Sequence, residues 1–303
     1  MINNPPKTLI IGPGALGLGL GGLLSEYCDV SLVGKADGQP KNQYLFGDGG
    51  TLERRVTLKW TPKITPEKFD HIWITTPAQS VKDVCRLLKE AGEFPKLILI
   101  ACNGLGIYEE ATKILGRKAP VCRALVEVGF NIQESGAKVI ITGQPKVILA
   151  APSNIQERAQ DLSKYLGSNG WISTTSSNPQ QAEWLKVIFN VFVNPVCAIL
   201  GCVNGEVLGT ALPVALSAAN EAKEVAKAAG IDVSEITDET LIQKINFSRS
   251  NICSTLAQIQ KGKQTELDYI TGAVMRAGKT FGIKTPVIEA LHSMVLAKEK
   301  LTL

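Results

Sequence analysis

Ile10-Ile11-Gly12-Pro13-Gly14-Ala15-Leu16-Gly17 decides the architecture of this chain. It is a G-x-G-x-x-G run that closes a short apolar stretch, residues 8–11, and opens a stretch of helical pattern, residues 15–25. In that setting each glycine has a physical reason. Gly12 allows a tight turn, Gly14 lets backbone approach an anion closely, and Gly17 lets helix and strand pack against each other. The helix start adds free N–H groups and the positive end of the helix dipole. A bare G-x-G-x-x-G also occurs as a turn with no ligand. Its place between strand and helix, with a second strand following at residues 30–33, favours a dinucleotide site formed by Gly12, Pro13, Gly14, Ala15, Leu16 and Gly17. Gly19, Gly21 and Gly22 go beyond this fingerprint; close packing of the helix is the reading they allow.

The end of the second strand separates the two nicotinamide cofactors. An acid there binds ribose hydroxyls and repels a 2′-phosphate. Here Ser31-Leu32-Val33-Gly34-Lys35 offers a cation and no acid before Asp37. Lys35 pairing with a 2′-phosphate points to NADP(H); a solvated surface lysine is the alternative.

Outward from this point the first half alternates apolar runs (residues 56–60, 72–75, 97–100) with a helical pattern at residues 81–90. Such alternation implies βαβ units and a mainly parallel sheet covered on both faces. Strand-like runs follow at residues 126–131, 138–142 and 147–150, then a helix at 155–166 and a short strand near 171–173. After Ser173-Thr174-Thr175-Ser176-Ser177-Asn178-Pro179 the texture changes. Helical spacing dominates at residues 180–200, 213–229, 238–245, 265–281 and 286–300, with Gly230 and Gly282 as stops. The expected fold is α/β: a Rossmann-type, mainly parallel sheet domain over residues 1–176, then an all-helical domain over 177–303.

Composition agrees with a packed globular protein. The chain has 303 residues, 45% hydrophobic and 20% charged, with a net charge of +4 and no long basic run. Nucleic acid gains no support from this. Seven scattered cysteines without a CxxC pair argue against a metal site or disulfide framework and for a reduced, cytoplasmic protein. Residues 187–203 are apolar enough to resemble a bilayer span, but Asn190, Asn194 and Pro195 interrupt them, so a core helix is expected and no membrane.

That core helix carries a polar stripe. In Glu183-Trp184-Leu185-Lys186-Val187-Ile188-Phe189-Asn190-Val191-Phe192-Val193-Asn194, Lys186, Asn190 and Asn194 recur every fourth residue and share one face. Polar groups taken among such neighbours are costly without partners, and a bound polar small molecule would supply them. Reduction of a carbonyl needs a group that polarises the oxygen and delivers a proton. His71, at the start of a strand, and His292, in the last helix, read as structural. Lys186 is the better candidate, against the alternative of a lysine that snorkels from a helix end. Glu266 opens a predicted helix, and from that position alone capping is the favoured role; the same holds for Asn251 and Ser254.

With these residues in view the chain resembles the ketopantoate reductase (2-dehydropantoate 2-reductase) family. The fingerprint, Cys102-Asn103-Gly104-Leu105-Gly106, Lys186-x3-Asn190-x3-Asn194-Pro195 followed by Asn204-Gly205, and Ser254 ahead of Thr265-Glu266-Leu267-Asp268-Tyr269-Ile270-x-Gly272 are similar to its motifs, across nearly the whole length. The resemblance implies NADPH-dependent reduction of a small 2-oxo acid in pantothenate biosynthesis, with the substrate in a cleft between the domains. It implies that Lys186 is the general acid and that Glu266 holds the substrate hydroxyl and supports the lysine. Asn190, Asn194, Asn251 and Ser254 fall on substrate-binding positions, and Asn103 on the position beside nicotinamide and carbonyl. Two departures stand out: Pro77 replaces a lysine common after the fourth strand, and Gly129-Phe130-Asn131 replaces smaller residues in the 126–143 stretch, where Phe130 is expected to alter the cleft. Other 2-oxo acids and a non-catalytic NADP-binding sensor are the competing readings. No spacing fixes an oligomeric state, and a homodimer is left open.

Overall fold

The computed structural model describes residues 5–34, 43–47, 53–61, 63–133 and 138–302. Lys35, on which the NADP(H) expectation turns, lies outside these residues. The chain forms two compact units: Met1–Cys102 with Ile107–Pro179, and Asn103–Gly106 with Gln180–Leu303. The expected division at residue 176 did not foresee that the short Asn103–Gly106 segment groups with the helical unit.

The first unit is built on one sheet. Its strands are β1 (Lys7–Ile11), β2 (Asp29–Val33), β3 (Gln43–Gly47), β4 (Glu53–Thr57), β5 (Lys59–Trp60), β6 (His71–Ile74), β7 (Leu97–Ile100), β8 (Val121–Ile132), β9 (Lys138–Ala150) and β10 (Ile172–Ser176). They run in the order β4-β3-β9-β8-β7-β6-β1-β2-β5, with β10 paired to β9. Among the described residues every pairing from β5 to β8 is parallel, and only β3–β4 and β8–β9 are antiparallel. This is the expected Rossmann-type, mainly parallel sheet. β1, β6, β7 and the first half of β8, Val121 to Val126, are almost wholly buried, which explains why these stretches are so largely apolar. The helices α1 (Ala15–Leu24), α2 (Val81–Glu90), α3 (Ile107–Leu115) and α4 (Gln156–Ser168) complete the unit. The chain passes from β1 through α1 to β2 on one side, while β6 flanks β1 on the other. The end of β1 is therefore a topological switch point, where open α/β sheets bind ligands.

Two expectations needed correction here. Residues 56–60 are not one strand: the chain breaks at Leu58, whose side chain is buried under α1 near Gly21. The runs 138–142 and 147–150 are one strand, β9, paired with β8 in a long hairpin with an irregular register between Glu127 and Gly129. Phe130, in this hairpin, has its ring on α1: a Cβ built on Gly19 would lie 2.1 Å from it. Likewise a Cβ on Gly22 would lie 2.2 Å from the Phe46 ring. The extra glycines of α1 thus make room for two aromatic rings.

The second unit consists of α5 (Pro179–Leu200), α6 (Leu212–Ala228), α7 (Asp238–Asn246), α8 (Ser254–Gln260), α9 (Thr271–Phe281) and α10 (Pro286–Thr302). Helix α5 is long and apolar enough to cross a bilayer by length and composition, but 67% of its apolar window is buried in the protein, as expected of a core helix. Val187, Ile188, Val191, Phe192 and Val193 are each no more than 1% exposed. At about 2 kcal/mol each, their burial outweighs the roughly 1–3 kcal/mol cost of an imperfectly paired polar group on the same helix. Residues 265–281 do not form one continuous helix. A 3-10 turn, Leu267–Tyr269, ends at Ile270 (φ −103, ψ −92), and α9 begins after it. Glu266 therefore precedes a tight turn and does not open a long helix.

Candidate functional site

The glycine turn is held tightly. Gly12 donates its N–H to the Val33 carbonyl at 3.0 Å, and the Thr75 hydroxyl donates to the Gly12 carbonyl at 2.7 Å. Gly12 has φ +110, and a Cβ there would lie 2.6 Å from the Thr76 nitrogen. A Cβ on Gly17 would lie 1.9 Å from the Gly12 oxygen. Gly12 and Gly17 are thus filled by protein. Gly14, at the N-cap of α1, has open space where its Cβ would point, with no side-chain cap and no acid in the first turn. The Thr76 hydroxyl beside Gly12 is buried and has no hydrogen-bond partner. An exposed glycine at an uncapped helix start and an orphaned hydroxyl at the sheet's switch point fit a dinucleotide phosphate.

In the helical unit, α5 supplies Lys186 and Asn190, both half-buried, and Asn194, which is 5% exposed. The Asn190 side-chain nitrogen is buried and makes no hydrogen bond. Pro195 lies inside the helix and removes one N–H from its ladder without ending it.

Backbone hydrogen bonds also hold the Asn204-Gly205 pair and the segment around Asn251 together. Asn204 donates its N–H to the Asn251 carbonyl at 2.9 Å, and Gly205 donates to the Arg249 carbonyl at 2.9 Å. The Asn204-Gly205 pair thus fixes the segment that carries Asn251, and a Cβ on Gly205 would press on Arg249 at 3.1 Å. The Cys253 thiol donates to the Asn194 carbonyl at 3.7 Å and accepts from the Leu256 N–H at 3.5 Å, capping α8. Its pKa is lowered, chiefly by hydrogen bonding with Cys197. Ser254, the first residue of α8, is exposed; Asn251 is half-buried and precedes that helix.

Glu266 is 6% exposed and accepts a hydrogen bond from the Asn103 side-chain amide at 3.3 Å. This joins two motifs 163 residues apart. The neighbouring Thr265 donates both its N–H (3.1 Å) and its hydroxyl (2.5 Å) to the buried Glu299 carboxylate of α10. Glu299 and Glu183 were not singled out from the sequence. Each is a buried carboxylate that receives backbone N–H groups, and only the folded chain reveals its partner.

The histidines play other parts. Burial pushes the His71 imidazole down to about 4, so it is uncharged at neutral pH. His292 Nδ1 lies 2.7 Å from the Thr271 hydroxyl, and burial lowers its pKa too. Among the described residues all seven cysteines are free, and Cys202 alone is not fully buried.

Comparison with known proteins places this geometry. Residues 8–154 match the family described as ketopantoate reductase PanE/ApbA, and residues 178–299 match ketopantoate reductase PanE/ApbA C terminal. A 2-dehydropantoate 2-reductase of Pyrococcus horikoshii is 28% identical over 97% of this chain and 98% of its own. One from Vibrio cholerae is 32% identical over 76% of this chain and 78% of its own. In fold, the chain is similar to a D-mandelate dehydrogenase solved with NADH and anilino(oxo)acetate, with a TM-score of 0.83 at 24% identity, covering 98% and 99% of the two chains. The chain belongs to the ketopantoate reductase family of oxidoreductases.

Proposed function

We propose that this protein reduces 2-dehydropantoate to pantoate with NADPH, in the cytoplasm and in pantothenate biosynthesis. The observation that carries the reading is the Asn103–Glu266 hydrogen bond, because it joins two motifs of the proposed site that lie 163 residues apart. Residues 1–176 serve the dinucleotide and residues 177–303 the substrate. Gly12, Pro13, Gly14, Ala15, Leu16 and Gly17 would hold the pyrophosphate, Lys35 would pair with the 2′-phosphate, and Asn103 would serve the nicotinamide end. When bound, the cofactor supplies the hydride for the C2 carbonyl.

The chain's own residues do the rest. Lys186, a cation on a largely apolar helix, stabilises negative charge developing on the carbonyl oxygen and donates the proton that neutralises it. Glu266 accepts a hydrogen bond from the substrate hydroxyl and supports the lysine's charge. Asn190, Asn194, Asn251 and Ser254 bind the remaining polar groups of the 2-oxo acid. The unpartnered Asn190 amide supports this, since a bound carboxylate or hydroxyl would satisfy it.

The test is NADPH oxidation against a panel of 2-oxo acids that includes ketopantoate and an aromatic 2-oxo acid, repeated with NADH. Highest kcat/KM on ketopantoate with NADPH is expected. Preference for the aromatic acid would replace the substrate, preference for NADH would remove the role given to Lys35, and no turnover on any acid would leave the sensor reading. A homodimer is part of the proposal and is read by light scattering.

A further inference from the structure

We propose that Glu183 is a positioning residue: its buried carboxylate fixes the Asn103–Gly106 turn to α5 and so sets the Asn103–Glu266 contact. Glu183 is 1% exposed, and an ionised group in such a place is costly unless its oxygens are occupied. Its Oε2 accepts the Gly106 N–H at 2.8 Å. It stands three residues before Lys186 on α5, so both leave the same face of the helix. The turn needs holding. Gly104 (φ +130) and Gly106 (φ +79) adopt backbone angles that glycine reaches easily and loses most freedom in keeping. Leu105 donates its N–H to the Tyr269 carbonyl at 2.9 Å, in the segment just after Glu266. The turn that follows Asn103 is therefore tied at Gly106 to the helix of Lys186 and at Leu105 to the segment of Glu266.

The kinetic arm of this inference rests on the proposed reductase activity; the structural arm does not. The full-length protein is compared with Glu183→Gln, which keeps an acceptor oxygen, and Glu183→Leu, which removes it. Glu183→Ala removes the same acceptor without bulk and serves where the leucine variant does not fold. Hydrogen–deuterium exchange over residues 103–106 is expected to speed up about tenfold or more in the acceptor-less variants and to stay near wild type in Glu183→Gln. In turnover with the preferred 2-oxo acid, kcat is expected to fall about 10- to 100-fold without the acceptor, with NADPH affinity unchanged and activity restored in Glu183→Gln. Unchanged exchange in Glu183→Leu or Glu183→Ala overturns the inference, as does Glu183→Gln exchanging as fast as they do. Altered exchange with undiminished kcat also overturns it, because the turn would then not set the reacting geometry. If the wild-type protein reduces no 2-oxo acid, the reductase proposal fails, and exchange alone decides the role of Glu183.

Discussion

Substituting Gly19 by alanine tests the packing of the dinucleotide half, because two effects of opposite sign meet at one methyl group. Gly19 lies inside α1, where alanine is favoured over glycine by about 1 kcal/mol. Against this, the new Cβ would lie 2.1, 2.4 and 2.5 Å from three carbons of the Phe130 ring. Carbon atoms rest at about 3.5–4.0 Å, so the ring would have to retreat by more than about 1 Å. Forcing a core apart in this way costs about 1–3 kcal/mol. The net effect of Gly19→Ala in the wild-type background is thus a loss of up to about 2 kcal/mol, or a fall in Tm of up to about 8 °C for a unit of this size. In a Phe130→Ala background the ring is gone and only helix propensity remains. The same substitution should then raise Tm by about 2–4 °C. Thermal unfolding of wild type, both single variants and the double variant closes the cycle and measures the coupling directly. An equal rise in Tm in both backgrounds would refute the reasoning, since Gly19 would then not be making room for Phe130.

Three further outcomes follow from the geometry. His71, held near 4 by burial against an ordinary 6.5, binds fewer protons folded than unfolded between those values. Stability from this group is therefore complete above about pH 6.5 and is lost as pH falls toward 4; His71→Asn should flatten the difference in Tm between pH 7 and pH 5. Arg123 is fully buried in β8 and donates to the Ile100 carbonyl at 2.6 Å and the Cys102 carbonyl at 2.8 Å. Arg123→Met strips both carbonyls of this donor at about 1–3 kcal/mol each, and Tm should fall by about 5 °C or more. Asn190→Leu removes a buried amide that makes no hydrogen bond, so the variant should melt at or above wild type while its KM for the 2-oxo acid rises about tenfold. A lower Tm with unchanged KM would contradict that assignment.

What the sequence made legible was local. The strand–glycine–helix passage at residues 7–24 and the four-residue spacing of Lys186, Asn190 and Asn194 need no distant partner to be recognised. β3 escaped notice because its five residues, Gln43–Gly47, show no sustained alternation and find their place only through pairing with β4 and β9. The break at Ile270 was missed because residues on both sides keep helical spacing while Leu105 reaches the Tyr269 carbonyl from another part of the chain. Gly19 and Gly22 were explicable only once Phe130 and Phe46 stood against them. Glu183, Glu299 and Arg123 look like surface charges in sequence; what buries them is backbone 21 to 77 residues away. The Asn103–Glu266 contact was within reach only through family resemblance, since spacing alone favoured capping for Glu266.

The account depends most on Lys186 as the proton donor. Lys186→Ala, assayed at saturating NADPH and 2-oxo acid alongside a direct NADPH binding titration, is the measurement that bears on it. The expected result is a loss in kcat of about 10²–10⁴-fold, the usual worth of a general acid, with NADPH affinity unchanged. Turnover within a few-fold of wild type would contradict it.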